Sequence, residues 1–126
     1  MTKAAAIYAF FAAFGLDTYE ENSVYTLEAP PEFPYLTYEL KTDCFGDYDT
    51  AISFSLWYRS ASWAAANAKV EEISEAIGRG GKPIPIDNGY LLIMRGSPFC
   101  QSLGDPSDSM VKRKLLNLTV RFYTND

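Results

Sequence analysis

Large apolar side chains recur through residues 4–14 at Ile7, Phe10, Phe11 and Phe14, a 0, 3, 4, 7 spacing that sets all four on one side of a helix. Alanines fill the other side, and Gly15 follows where a helix C-terminus favours glycine. The spacing changes to period two over residues 50–59. There Ile52, Phe54, Leu56 and Tyr58 alternate with Ser53, Ser55, Trp57 and Arg59, the pattern of a strand with one buried face. Residues 35–42 (YLTYELKT) alternate in the same way, and the turn formers of residues 44–49 join the two runs as a hairpin. Helical spacing returns from about Ser62 to Ile77, where Trp63, Ala66, Val70, Ile73 and Ile77 share a side. Ser60 or Ser62 is the expected N-cap, and Gly78-Arg79-Gly80-Gly81 stops the helix. Its Glu71, Glu72 and Glu75 point away from that side, so the helix is expected to lie on the sheet with its acidic face in water.

Residues 82–86 and 89–95 flank Asp87-Asn88-Gly89, and Asn-Gly between apolar runs signals a hairpin. A final strand over residues 111–123 sets Leu116, Leu118, Val120 and Phe122 against Asn117, Thr119, Arg121 and Tyr123. Three segments fit these patterns less well. Residues 17–21 make at most a short edge strand, and residues 28–34 (EAPPEFP) are a proline-rich connection. Residues 96–110 (GSPFCQSLGDPSDSM) are polar, carry two prolines and two glycines, and read as an unusually long connection without regular structure. With no internal repeat or linker, residues 1–126 form a single domain. The expected fold is α+β: a mostly antiparallel sheet of about five strands with two main helices packed against it, in the order α-β-β-α-β-β-β.

Composition supports one packed core, since 48% of residues are hydrophobic and 21% charged, too apolar for a disordered chain. A net charge of -5 argues against a general nucleic-acid binder, which needs clustered lysine and arginine in excess. The charge is also uneven. Residues 1–78 hold 4 basic and 12 acidic side chains, whereas residues 79–126 hold 7 basic and 4 acidic. If the halves occupy different faces, identical subunits attract head to tail, a contact that closes into rings or grows into filaments.

Candidate chemistry is sparse. The chain has no histidine, which removes the usual general base near neutral pH and the commonest metal ligand. Cys44 and Cys100 form no metal or redox motif and read as reduced thiols in a cytoplasm. Lys3 and the apolar run after it resemble a short secretory leader, but the helical core stripe and the single lysine favour a packed helix. That run is too short to span a bilayer. Glu71, Glu72 and Glu75 read as a solvated helix face, and Asp105 with Asp108 offers too few fixed oxygens for a cation site. Gly78-Arg79-Gly80-Gly81-Lys82 ends a helix, whereas a phosphate loop opens one. Lys112-Arg113-Lys114 reads as a solvated strand end, extended by Arg79, Lys82 and Arg95 if the fold gathers them. Nine tyrosines, with Tyr19, Tyr25, Tyr35 and Tyr48 in or beside loops, favour contact with proteins. No catalytic residue, metal ligand or cofactor is assigned.

A helix ending in FAAFGLDTYEE, a strand opening with FPYLTYEL, the segment LWYRSASWAAANAKVEEISEAIGRGGKPIPIDNGYLLIMRGSPF and a closing LLNLTVRFYT cover nearly the whole chain. In this order they resemble the small tail-terminator or tail-completion proteins of long-tailed bacteriophages and prophages, minor tail proteins of head–tail joining. The resemblance implies helices on a mostly antiparallel sheet and no catalysis. It also implies a ring of copies, commonly a hexamer, that caps the tail tube protein, ends tail polymerisation and meets the head-side connector protein. Such a ring would assemble in the bacterial host cytoplasm, reside at the tail–head junction of the virion, pass DNA without reading its sequence, and involve no membrane. Expected interface residues are Ser97, Phe99, Gln101, Asp105 and Asp108 in the long connection and Tyr25, Glu28 and Glu32 in the extended stretch 22–34. The basic set Arg79, Lys82, Arg95 and Arg113 completes them. The alternatives are a free-standing ligand-binding or regulatory domain with an apolar pocket between its layers, or an enzyme using Cys44 or Cys100.

Overall fold

The computed structural model describes residues 1–46 and 48–126. Helix α1 (Lys3–Ala12) starts where the Thr2 hydroxyl accepts the Ala5 amide at 3.1 Å, and Gly15 turns the chain out of it at a φ of 80°. Strand β1 (Asp17–Glu20) follows, then a 3-10 turn (Glu21–Thr26), β2 (Tyr35–Tyr38), β3 (Thr50–Arg59), α2 (Ala64–Ile77), β4 (Lys82–Ile86), β5 (Gly89–Asp105) and β6 (Asp108–Thr124). The strands form one six-stranded sheet in the order β1-β2-β3-β6-β5-β4. Only β1 and β2 run parallel. The fold is thus the expected α+β domain, with β1 as a sixth strand.

Both helices lie on one face of the sheet. That face carries Ile52, Phe54, Leu56 and Tyr58 of β3, Leu91 and Ile93 of β5, and Leu116, Leu118, Val120 and Phe122 of β6, all buried. Strict alternation makes this possible, because successive side chains of a strand point to opposite faces. From α1 come Ile7, Phe10, Phe11 and Phe14, and from α2 come Ala66, Ile73 and Ile77. Each fully buried Leu, Ile or Phe contributes about 1.5–3 kcal/mol relative to exposure.

The expected hairpin of β2 with β3 is present, but β2 ends at Tyr38 instead of continuing to Thr42. Beyond that point one backbone bond remains, the Glu39 amide donating to the Ser53 carbonyl at 3.1 Å, and side chains add to it: a Glu39 carboxylate oxygen accepts the Ser53 amide at 2.7 Å, and the Lys41 ammonium donates to the Ala51 carbonyl at 3.0 Å. Helix α2 begins at Ala64, two residues later than expected. Its N-cap is Trp63, without a side-chain bond of its own, while the Ser62 hydroxyl accepts the Ala64 amide at 3.1 Å. The expected turn at residues 44–49 includes Asp47, which lies outside the described residues.

The largest correction concerns residues 96–110. They are not a structureless connection but the distal half of a long hairpin, paired from Cys100↔Leu116 to Asp105↔Asp108 and closed by Pro106-Ser107. An irregularity in register between Arg95 and Cys100 absorbs Gly96 to Phe99, where the Asn117 side-chain Nδ2 donates to the Pro98 carbonyl at 3.0 Å. Because β4 pairs with β5 only as far as Ile93, the outer edge of β5 from Met94 to Asp105 has no partner strand among the described residues. The stretch 22–34 is likewise not wholly extended, since its first part forms the 3-10 turn. No described helix is long and apolar enough to cross a membrane.

Candidate interaction surfaces

The face of the sheet away from the helices carries a stacked group of half-buried side chains, bordered by Glu21, Val24 and Tyr25 of the 3-10 turn. Trp57 of β3 lies parallel to Tyr35 of β2, with centroids 5.9 Å apart and planes 12° apart, and the Arg113 guanidinium of β6 sits 4.6 Å from the indole centroid. The Trp57 N–H donates to the Thr37 hydroxyl at 2.9 Å, and Arg113 Nε donates to the Ser55 hydroxyl at 3.1 Å. Burial raises the Tyr35 phenol pKa, and the nearby Arg113 charge opposes it. Arg113 is therefore held in a built cluster and is separated by the sheet from the other expected basic residues. Alternation already set Trp57 on the polar side of β3, which was the sequence signal for this cluster.

Lys112 and Lys114 occupy the opposite face, and the expectation of a solvated strand end fails for both. They are only 8% and 7% exposed, because the core parity of Leu116 and Leu118 continues backward through them. Their ammonium groups lie 5.6 and 4.9 Å from the Trp63 ring centroid. Lys112 also donates to the Ser109 carbonyl, and Lys114 donates to the Ser102 hydroxyl at 2.6 Å. These bonds and the aromatic face compensate two charges that would otherwise be costly to bury.

At the hairpin tip, Asp105 accepts the Ser107 amide at 2.8 Å and the Ser107 hydroxyl at 2.7 Å, and these bonds hold its pKa below the ordinary aspartate value. Asp108 is bound by Arg59 and accepts the Met110 amide at 3.0 Å, which lowers its pKa too. Both carboxylates thus have local structural work. Ser97 and Gln101 are exposed along the free stretch of β5, whereas Phe99 is half-buried against the core. Cys44 is exposed, and burial raises the Cys100 thiol pKa, the reverse of what a thiolate nucleophile needs. Among the described residues no group of three potential metal ligands comes together.

The two sides of the sheet differ in where their cations lie. Six ion pairs form among the described residues, and none includes Arg79, Lys82 or Arg95. Arg79 follows α2, Lys82 opens β4 opposite Ile93, and Arg95 reaches from β5 to the Ser74 hydroxyl of α2 at 2.8 Å, so all three belong to the β4 side. At the far side, β1, the 3-10 turn and the chain after it carry Asp17, Glu20, Glu21, Glu28 and Glu32, also outside every ion pair. No lysine or arginine occurs between residues 4 and 40 to offset them. Tyr25 projects from the same acidic segment and is 88% exposed.

On the helix side, an open groove of about 480 Å³ runs between α1, α2 and β4, lined by Phe10, Phe14, Ala9, Ala13, Ala76 and the Lys82–Pro85 stretch. The alanines were legible only as the free side of α1; that they wall a groove depends on where β4 packs. In comparisons with known families, curated proteins and solved structures, the chain matches none.

Proposed function

We propose that this chain is a structural assembly subunit that joins copies of itself head to tail through the two unlike edges of its sheet. The observation that carries this reading is the distribution of charge outside the ion pairs of the described residues: the β1 side carries acidic side chains with no lysine or arginine among them, whereas the free cations Arg79, Lys82 and Arg95 lie on the β4 side, beside Glu71 and Glu75 of α2. The acidic edge of one subunit against the basic edge of the next is a heterologous contact, which closes into a ring or grows into a filament. The unpaired stretch of β5 supplies backbone donors and acceptors near the basic edge for the same contact.

The ring we propose is the one the resemblance to tail-terminator proteins implies. It would be a hexamer that caps the tail tube, ends tail growth and presents its other end to the head connector, acting without catalysis. It would assemble in the host cytoplasm and remain in the virion, with DNA passing through without sequence readout. On this reading, light scattering of the purified chain gives a mass that climbs from monomer to a closed multiple of the chain as concentration increases. Raising ionic strength shifts the climb to higher concentration, because exposed charges are screened. Added tail tubes acquire one ring at an end. A sample that stays monomeric at every concentration and leaves tubes uncapped would refute the proposal.

A further inference from the structure

We infer that the groove between α1, α2 and β4 receives Tyr25 and Leu27 of a neighbouring copy, with Glu28 of that copy against Lys82. This inference rests on the assembly reading and names the contact that would build it. Between residues 4 and 16, α1 and its C-terminal turn carry no charged side chain, yet Ala9 and Ala13 face solvent. A helix apolar on all sides is ordinarily covered on all sides. Phe10 and Phe14 floor the groove, Ala13 and Ala76 wall it on the helices, and Pro83 and Ile84 close it on β4.

The charge at the rim selects the occupant. Glu72 borders the groove but is engaged by Lys69 at 3.1 Å, whereas Lys82 is in no ion pair among the described residues. The groove therefore offers an apolar bed with a free cation, which suits a hydrophobic side chain with a carboxylate close by. Tyr25 is the most exposed of the large hydrophobic side chains at 88%, Leu27 is 37% exposed, and Glu21, Glu28 and Glu32 surround them in sequence. Phe45 is also prominent, but its ring already packs edge-on against Tyr123 at 6.4 Å. Tyrosine is suited to such an anchor, since it buries roughly 150–250 Å² and keeps a polar tip. Within its own chain Tyr25 borders Tyr35, Thr37, Trp57 and Arg113, on the face of the sheet away from the helices, whereas the groove lies on the helix face. The anchor therefore comes from another copy, not from its own chain.

Cysteine pairing tests this directly in a Cys44→Ser, Cys100→Ser background. One preparation carries Thr26→Cys, beside the anchor, and a second carries Ala76→Cys, both at exposed positions that leave the core and Tyr25 intact. Mild oxidation of the mixture is expected to yield the mixed disulfide between the two kinds of chain. Separately, Tyr25→Ala is expected to weaken association by at least about 30-fold, the loss typical of an anchor residue. Ala9→Glu, which places a carboxylate in the groove, should have a comparable effect. If copies associate but Tyr25→Ala changes nothing and no mixed disulfide forms, the groove contact is wrong while the assembly reading stands. Disulfides only between two Thr26→Cys chains would also overturn it, because they report a symmetric contact. A chain that never associates would overturn both.

Discussion

Phe11→Ala is expected to lower the free energy of unfolding by about 4 kcal/mol. Phe11 is 1% exposed and sits where α1 meets the sheet, its ring 4.8 Å from that of Tyr38 and 4.8 Å from that of Phe54, with Phe10 edge-on at 5.3 Å. Truncation removes the transfer energy of the ring and leaves a void walled by a helix and two strands that collapse only in part. Since a domain of this size is stable by about 5–15 kcal/mol, the loss takes a large share of the total. Urea denaturation checks it: the midpoint falls while the slope is unchanged, as for a pure loss of stability. A loss below about 1 kcal/mol would mean that this ring is not packed as described.

Gly89→Ala is the second large effect, with an expected loss of about 3 kcal/mol from backbone strain and overpacking together. Gly89 follows the Asp87-Asn88 turn at a φ of 147°, a conformation that an L side chain rarely adopts. A Cβ built there stands 2.0 Å from the Tyr123 carbonyl oxygen and 2.8 Å from the Thr124 Cα, both backbone atoms of β6 that cannot swing aside. Gly104→Ala is the matched control, because its position on the hairpin has open space around it. That control is expected to lie within about 0.5 kcal/mol of the parent chain. Equal losses in the two variants would contradict the close approach of β5 and β6 at Gly89.

What the sequence revealed follows from what its periodicity encodes. Strand β3 was legible from end to end because each of its residues obeys one alternation. The 3.6-residue stripes of α1 and α2 likewise named their buried side chains. The long hairpin was not legible. Beyond Cys100 its pairing is backbone to backbone, the side chains are mostly polar on both faces, and Pro98 and Pro106 read as breakers although one sits in an irregularity and the other in the turn. Lys112 and Lys114 show the reverse case. Parity counted back from Leu116 assigns them to the core face, but their charge argues for solvent, and only the placement of Trp63 lets the parity prevail. Of the expected interface residues, Tyr25, Glu28 and Glu32 lie in the chain that follows β1, and Arg79, Lys82 and Arg95 lie on the β4 side. Arg113 lies with neither group, because no local pattern tells a strand residue which neighbour will stack against it.

The unlike edges are the centre of this account, and their sign makes them testable. Either edge reversed alone, by Arg79→Glu with Lys82→Glu or by Glu28→Lys with Glu32→Lys, sets like charge against like and should abolish association in sedimentation velocity. The decisive measurement is the same experiment on the chain carrying all four substitutions. A head-to-tail contact between the acidic and basic edges predicts that the oligomer returns, since the signs are exchanged and still opposite. A four-fold variant that stays as monomeric as its parents, or single-edge variants that assemble like the original chain, would contradict it.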